Sequence, residues 1–135
     1  MTRRALTKLT WPGVWTNSVC GHPSPDESIE DALARRAQHE LGITVQHVTP
    51  LLPDFRYRAV DASGVVENEI CPVFTAVTSD DVSPRADEIA EFAWVDPAEF
   101  QAAVAATPFA FSPWSGWQLA QLTERQLSYA APSSA

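Results

Sequence analysis

An α+β fold, a mixed β-sheet with helices packed on it, is what this sequence predicts, and three observations lead there. Helical and extended patterns interleave along the chain, which indicates a mixed sheet with helices packed on it. One hairpin is legible, with the extended runs Phe55–Val60 and Val65–Val77 joined by the turn segment Asp61-Ala-Ser-Gly64. A helix with its own start and stop signals lies between Ser24 and Gly42. At 135 residues and 45% hydrophobic content, the chain suits one domain that buries roughly two thirds of its unfolded surface.

Taken in order, Val14–Cys20 reads as an extended segment leaving the Pro12-Gly13 turn. Ser24-Pro-Asp-Glu27 fits a capping box with proline at the first helical position. The helix then runs to about Leu41, with Ile29, Ala32, Leu33 and Ala37 as its apolar stripe, and Gly42 ends it. Glu91–Val95 reads as a short strand, and Asp96 as the N-cap of a helix over Pro97–Val104. Pro113 opens a last amphipathic helix towards Gln126. The expected domain is 1–129, and the Ala-, Pro- and Ser-rich tail 130–135 reads as disordered.

Charge narrows the function. A net charge of −8 argues against nucleic acid and against an anionic membrane surface as partners. Seven of the nine basic residues nevertheless precede Val60, so a small anion can be held locally. No apolar run is long enough to span a bilayer and the N-terminus has no apolar signal core, which points to the cytoplasm. In that compartment Cys20 and Cys71 are expected as free thiols.

Two segments carry chemistry. Trp11-Pro-Gly-Val-Trp-Thr-Asn-Ser-Val-Cys-Gly-His-Pro23 sets the Cys20 thiol close in sequence to the His22 imidazole. Glu67-Asn-Glu-Ile-Cys-Pro72 sets Glu67 and Glu69 on one face of an extended strand, because side chains alternate with period two. Two carboxylates there are costly unless something cationic lies between them. Cys71, on the same strand and face, reads as a packing residue. Plainer readings stand beside these: an ordinary capped helix, an Arg36–Glu40 surface salt bridge one turn apart, a solvated N-terminus bearing Arg3, Arg4 and Lys8, a polar edge strand, and a core tryptophan at 114.

The helix also carries the spacing of the Nudix box. Gly21, Glu27, Arg35, Glu40, Gly42 and Ile43 fall in register, whereas Arg36 and His39 stand where that box has glutamates. Together with the two chemical segments, this pattern resembles the type I isopentenyl-diphosphate isomerase family of the Nudix-like superfamily, from Thr2 to about Trp117. The resemblance implies a Nudix-like fold, a mixed sheet sandwiched between helices, with its first strand region missing. It implies an enzyme of isoprenoid biosynthesis that interconverts isopentenyl and dimethylallyl diphosphates through a tertiary carbocation. Cys20 and Glu69 would be the acid–base pair, with Tyr57 assisting by hydrogen bonding. A thiol with a reference pKa of about 8.5 needs its site to adjust its proton affinity. Arg4, Lys8 and Arg36 would meet the diphosphate, and Trp114 would face the cationic carbon.

The same resemblance implies Mg²⁺ held with the diphosphate by Glu40. It also implies a second divalent ion on His22, Glu67 and Glu69, for which Mn²⁺, Zn²⁺ and Mg²⁺ all suit the donors. A monomer or homodimer acting on a small-molecule diphosphate is expected. The family's remaining histidine ligands lie upstream of Met1, and His39 and His47 stand off the matching positions. Two explanations of that departure stand open, a start codon placed too late and a truly shortened chain, whose incomplete sheet would expose a strand edge. Two further readings also remain: a Nudix hydrolase, against which the lost glutamates weigh, and a non-catalytic remnant that binds diphosphate.

Overall fold

The computed structural model describes residues 1–123 together with Gln126 and Leu127; the tail expected to be disordered, 130–135, lies outside the described residues. In chain order the elements are β1 (Thr2–Arg4), β2 (Trp15–Thr16), α1 (Ile29–Leu41), β3 (Gln46–Leu52), β4 (Arg56–Val60), β5 (Val66–Ile70), β6 (Val73–Val77), β7 (Ile89–Phe92), α2 (Pro97–Ala106) and α3 (Pro113–Gln121). Five strands, β3 to β7, follow one another before α2 and α3, the run of strands and then helices that an α+β chain shows. The strands form a three-stranded sheet ordered β2-β1-β7 and two-stranded pairs β3–β6 and β4–β5. The chain divides into two compact units, Met1–Thr49 with Ala76–Ala93 and Pro50–Thr75 with Trp94–Ala135.

In the first unit, β1 is the central strand, antiparallel to both neighbours. Its register (Thr2↔Thr16, Arg3↔Glu91, Arg4↔Ile89) slips between Arg3 and Arg4. This pairing sets the span of β7, so that strand starts at Ile89 and not at Glu91 as the apolar pattern suggested. The basic N-terminal segment is thus sheet and not a frayed end. The Met1 amino group donates to the Ala93 carbonyl at 2.8 Å, which secures its first residue.

Helix α1 starts later than expected. The Ser24 N–H does donate to the Glu27 carboxylate at 2.7 Å, so half of the anticipated capping box forms. Asp26, however, has φ +62, a left-handed conformation that a helix cannot continue. Ser28 is the actual N-cap, its hydroxyl accepting from the Asp31 N–H at 3.1 Å. Ile29, placed on the apolar stripe by periodicity, is 42% exposed. Ala32, Ala37 and Leu41 are buried, and Glu40 is buried with them. Ala37, Leu41, Ile43 and Ile89 form a core against which Val19, Val45 and Val82 pack.

In the second unit, β4 and β5 are the expected antiparallel hairpin, closed through Asp61. The Ser63 N–H donates to the Asp61 carboxylate at 2.5 Å, and Gly64 supplies φ +90. Strand β5 ends at Ile70, short of the continuous Val65–Val77 run, because Pro72 has no N–H to pair. Cys71 therefore lies outside the glutamate strand, its N–H donating to the Phe55 carbonyl at 2.8 Å. Asp96 caps α2 as expected, accepting from the N–H groups of Ala98 and Glu99. Helix α3 stops at Gln121 because Thr123 opens a new capping box with Gln126: the Thr123 N–H donates to Gln126 Oε1 at 3.0 Å. Tyr57, Val104, Phe111, Trp114 and Leu119 are buried in this unit.

Candidate active site

The expected site residues divide between the units: Arg4, Lys8, Cys20, His22, Arg36 and Glu40 belong to the first, and Tyr57, Glu67, Glu69 and Trp114 to the second. In the first unit, Arg4, Lys8, Cys20, Arg36 and Glu40 line a single cleft of about 40 Å³, and Glu88 lines it with them. That volume holds one or two waters or small atoms, a seat for part of a ligand.

Each side chain reaches the cleft for a local reason. Arg4 leaves the bulge end of β1, and its guanidinium donates to the Thr10 carbonyl at 2.9 and 3.1 Å, which ties the loop after β1 to the strand. Lys8 follows one turn on, its N–H donating to the Ala5 carbonyl, and its ammonium donates to the Glu88 carboxylate. Arg36 and Glu40 share a face of α1 one turn apart, and Arg36 donates to Glu40 Oε1 through Nε at 2.9 Å and Nη2 at 2.5 Å. Gly21 is where it must be: a Cβ there would lie 2.6 Å from Arg36 Nε and 2.8 Å from its Cγ and Cδ. The loop carrying Cys20 therefore passes directly over the Arg36 side chain.

Arg35 faces the other way and works as a clamp. It grips Glu27 with two charge-assisted bonds, at 2.7 and 2.9 Å, and donates to the His22 carbonyl at 3.0 Å. The Glu27 carboxyl is held down at a pKa of about 2, chiefly by the Arg35 hydrogen bond. Three in-register positions of the helix motif (Glu27, Arg35 and Gly21) thus pin the Cys20–His22 loop to α1, while His22 itself is exposed.

Electrostatics in the cleft are set by burial. Burial pushes the Glu40 carboxyl above its ordinary range, even with the Arg36 guanidinium against it. Glu88 moves the other way: burial alone would raise it, but the bonded Lys8 ammonium, with Arg36 behind, brings it below the usual value. Sequence reasoning missed Glu88. It stands in Asp87-Glu88-Ile89 after an irregular loop, where no local pattern marks it. The fold puts it there because the loop caps α1: the N–H groups of Ser83 and Arg85 donate to the Leu41 and Glu40 carbonyls at 2.8 and 2.9 Å.

In the second unit, the hairpin register pairs Tyr57 with Glu69 and Ala59 with Glu67, so these four share one face. The Tyr57 hydroxyl donates to Glu67 Oε2, its diagonal neighbour, at 3.0 Å. Strand β5 inverts the usual arrangement: Glu67 and Glu69 are half-buried, whereas Val66 and Ile70 are 46% and 72% exposed. Carboxylates turned inward while valine and isoleucine face water is a pattern that core packing would not choose. Trp114, 1% exposed, stacks on Tyr57 with ring centres 5.5 Å apart and 27° between planes. Trp117 is 43% exposed and lies 6.3 Å from the same ring.

Glu40 suits a hard cation by chemistry, a buried carboxylate lining the cleft with Arg4, Lys8 and Arg36. Among the described residues, no group of three or more His, Cys, Asp or Glu side chains is gathered around a metal position. Glu67 and Glu69 bring two such donors to one strand face.

A NUDIX domain model matches residues 1–115. Isopentenyl-diphosphate Delta-isomerases are similar throughout: that of Clavibacter sepedonicus is 58% identical over all of this chain and 71% of its own length. Those of Clavibacter michiganensis and Kocuria rhizophila are 62% and 57% identical, over 88% and 93% of this chain and 61% and 70% of their own. A solved structure from Deinococcus radiodurans matches the fold at TM-score 0.68 and 19% identity, over 89% of this chain and 71% of that one. The chain thus belongs to the Nudix family and, within it, to the isopentenyl-diphosphate isomerases, a family of enzymes. It spans about two thirds of the length of these relatives.

Proposed function

We propose that this chain interconverts isopentenyl and dimethylallyl diphosphates in isoprenoid biosynthesis. The observation that carries this reading is the shared cleft: a thiol, three cations and a buried carboxylate, each expected from the sequence, line one recess of the first unit. A diphosphate needs cations and a metal-capable carboxylate, and a proton transfer to carbon needs a nearby group of intermediate acidity. Cys20 supplies the thiol. Arg36 presents a fork to phosphate oxygens, and Lys8 acts as a point charge. Arg4, already fixed by Thr10, adds a third positive group to the recess.

Moving the double bond requires one proton added to the terminal alkene carbon, which leaves a tertiary cation at its neighbour, and another removed from the carbon on the far side of that cation. We assign these two transfers to Cys20 and Glu69. Tyr57, hydrogen-bonded to Glu67 on the strand that bears Glu69, orients that face. Trp114 and Tyr57 form an aromatic wall suited to a transient cation. Mg²⁺ bound with the diphosphate at Glu40 would neutralise phosphate charge. His22, Glu67 and Glu69 are the candidate ligands of a second divalent ion, Mn²⁺, Zn²⁺ or Mg²⁺. We further propose a cytoplasmic monomer or homodimer, with a small-molecule substrate and no nucleic acid partner; no helix among the described residues is long and apolar enough to cross a membrane.

The test is conversion of isopentenyl diphosphate, with magnesium, into an acid-labile allylic product. Cys20→Ala and Glu69→Gln should each lower turnover about a thousandfold, as loss of a general acid or base does. Release of inorganic phosphate would instead indicate hydrolysis, against which Arg36 and His39 stand in the helix motif. Diphosphate binding without any allylic product, even in excess manganese or zinc, would mark a non-catalytic binder.

A further inference from the structure

Glu88 is the charged cleft-lining residue that the proposed reaction does not use, and its surroundings assign it a task. Its carboxylate accepts from the Lys8 ammonium, lies 3.6 Å from Arg36 Nη2, and has His39 Nε2 at 3.7 Å on its other oxygen. Its side chain is 15% exposed. The main chain holds it there independently: the Ala5 N–H donates to the Glu88 carbonyl at 3.0 Å, and the Glu88 N–H donates to the Arg85 carbonyl at 3.1 Å. The carboxylate therefore sits by construction between two of the cations that a phosphate would seek.

We propose that Glu88 is a positioning residue that makes diphosphate capture depend on a divalent cation. The inference rests on the reading of this cleft as a diphosphate seat. Lys8 and Arg36 carry two positive charges that pair with Glu40 and Glu88, so two of the three cations lining the cleft already have a carboxylate against them, while Arg4 donates to Thr10. A bare diphosphate must pull Lys8 and Arg36 from their carboxylates and then lie beside two uncompensated negative groups. A few ångströms from a phosphate in a partly buried cleft, each such repulsion weakens binding about tenfold. A divalent cation entering with the anion gives the released carboxylates a partner. Glu88 thus holds the two cations and weakens the cleft's grip on metal-free anions.

Calorimetric titration of the full chain with inorganic pyrophosphate, in EDTA and in magnesium, tests this. Wild type should bind weakly in EDTA and at least about tenfold more tightly with magnesium. Glu88→Gln should bind metal-free pyrophosphate about tenfold more tightly than wild type and lose most of the magnesium enhancement, the electrostatic consequence of removing one nearby charge. Glu88→Asp, which keeps the charge, should retain the enhancement and covers the case in which the glutamine variant fails to fold. Arg36→Gln should lose pyrophosphate binding under both conditions. If Arg36→Gln weakens binding while Glu88→Gln shows no gain in EDTA, the role of Glu88 is wrong and the diphosphate seat stands. If Arg36→Gln binds pyrophosphate like wild type, the seat itself is wrong and the inference falls with it.

Discussion

Gly21 and Arg36 show how one missing side chain positions a charge. The loop bearing Cys20 crosses the Arg36 stem so closely that any Cβ at position 21 would overlap its Cγ, Cδ and Nε. Gly21→Ala should therefore push Arg36 away from Glu40 and Glu88. Pyrophosphate affinity with magnesium should fall about tenfold, the loss of one charge-assisted contact. An unchanged affinity in calorimetry would show that Arg36 has room to step aside. At this scale the sequence was informative wherever function uses a local spacing. The Arg36–Glu40 pair follows from helix periodicity, and the shared face of Glu67 and Glu69 follows from strand alternation. Glu88 was illegible, because its neighbours Lys8, Arg36 and His39 come from distant stretches of chain.

Among the elements, the two ends of α1 differ in how far they could be read. Gly42 was legible as a terminator and is one: it has φ +67, and its N–H donates to the Gln38 carbonyl at 3.1 Å. The structure adds a second reason for glycine, since a Cβ there would lie 3.2 Å from the Ser83 carbonyl. Gly42→Ala should cost about 1–2 kcal/mol from the left-handed conformation alone, read as a lowered urea midpoint. Because Ser83 and Arg85 cap the same helix end, pyrophosphate binding should weaken together with stability. The start of α1 misled: Ser24 read as the cap, and a left-handed Asp26 moved the cap to Ser28. Backbone conformation at an aspartate is not written in hydrophobic periodicity.

For the whole molecule, pH response follows from its clamped carboxylates. Arg35 holds Glu27 at about 2, and Arg85 holds Asp87 at about 2, each well below its ordinary value. A carboxyl depressed in the folded state adds stability above its unfolded pKa and loses it as pH falls through the folded one. Urea midpoints should therefore drop between about pH 4.5 and 2. Glu27→Gln should flatten part of that slope. Added salt should shrink the Asp87 share most, since the Arg85–Asp87 clamp is exposed while the Glu27 side chain is largely covered. An identical pH profile for wild type and Glu27→Gln would show that the clamp carries no linkage. Periodicity, capping residues and motif spacing were enough to read the α+β class, the hairpin, and the residues that carry charge and thiol, because each is a regularity along the chain. The central place of β1, the inward turn of the β5 glutamates, and the seating of Glu88 between Lys8 and Arg36 required the folded chain. These depend on which distant segments satisfy one another's backbone and charge, and a linear pattern holds no record of that.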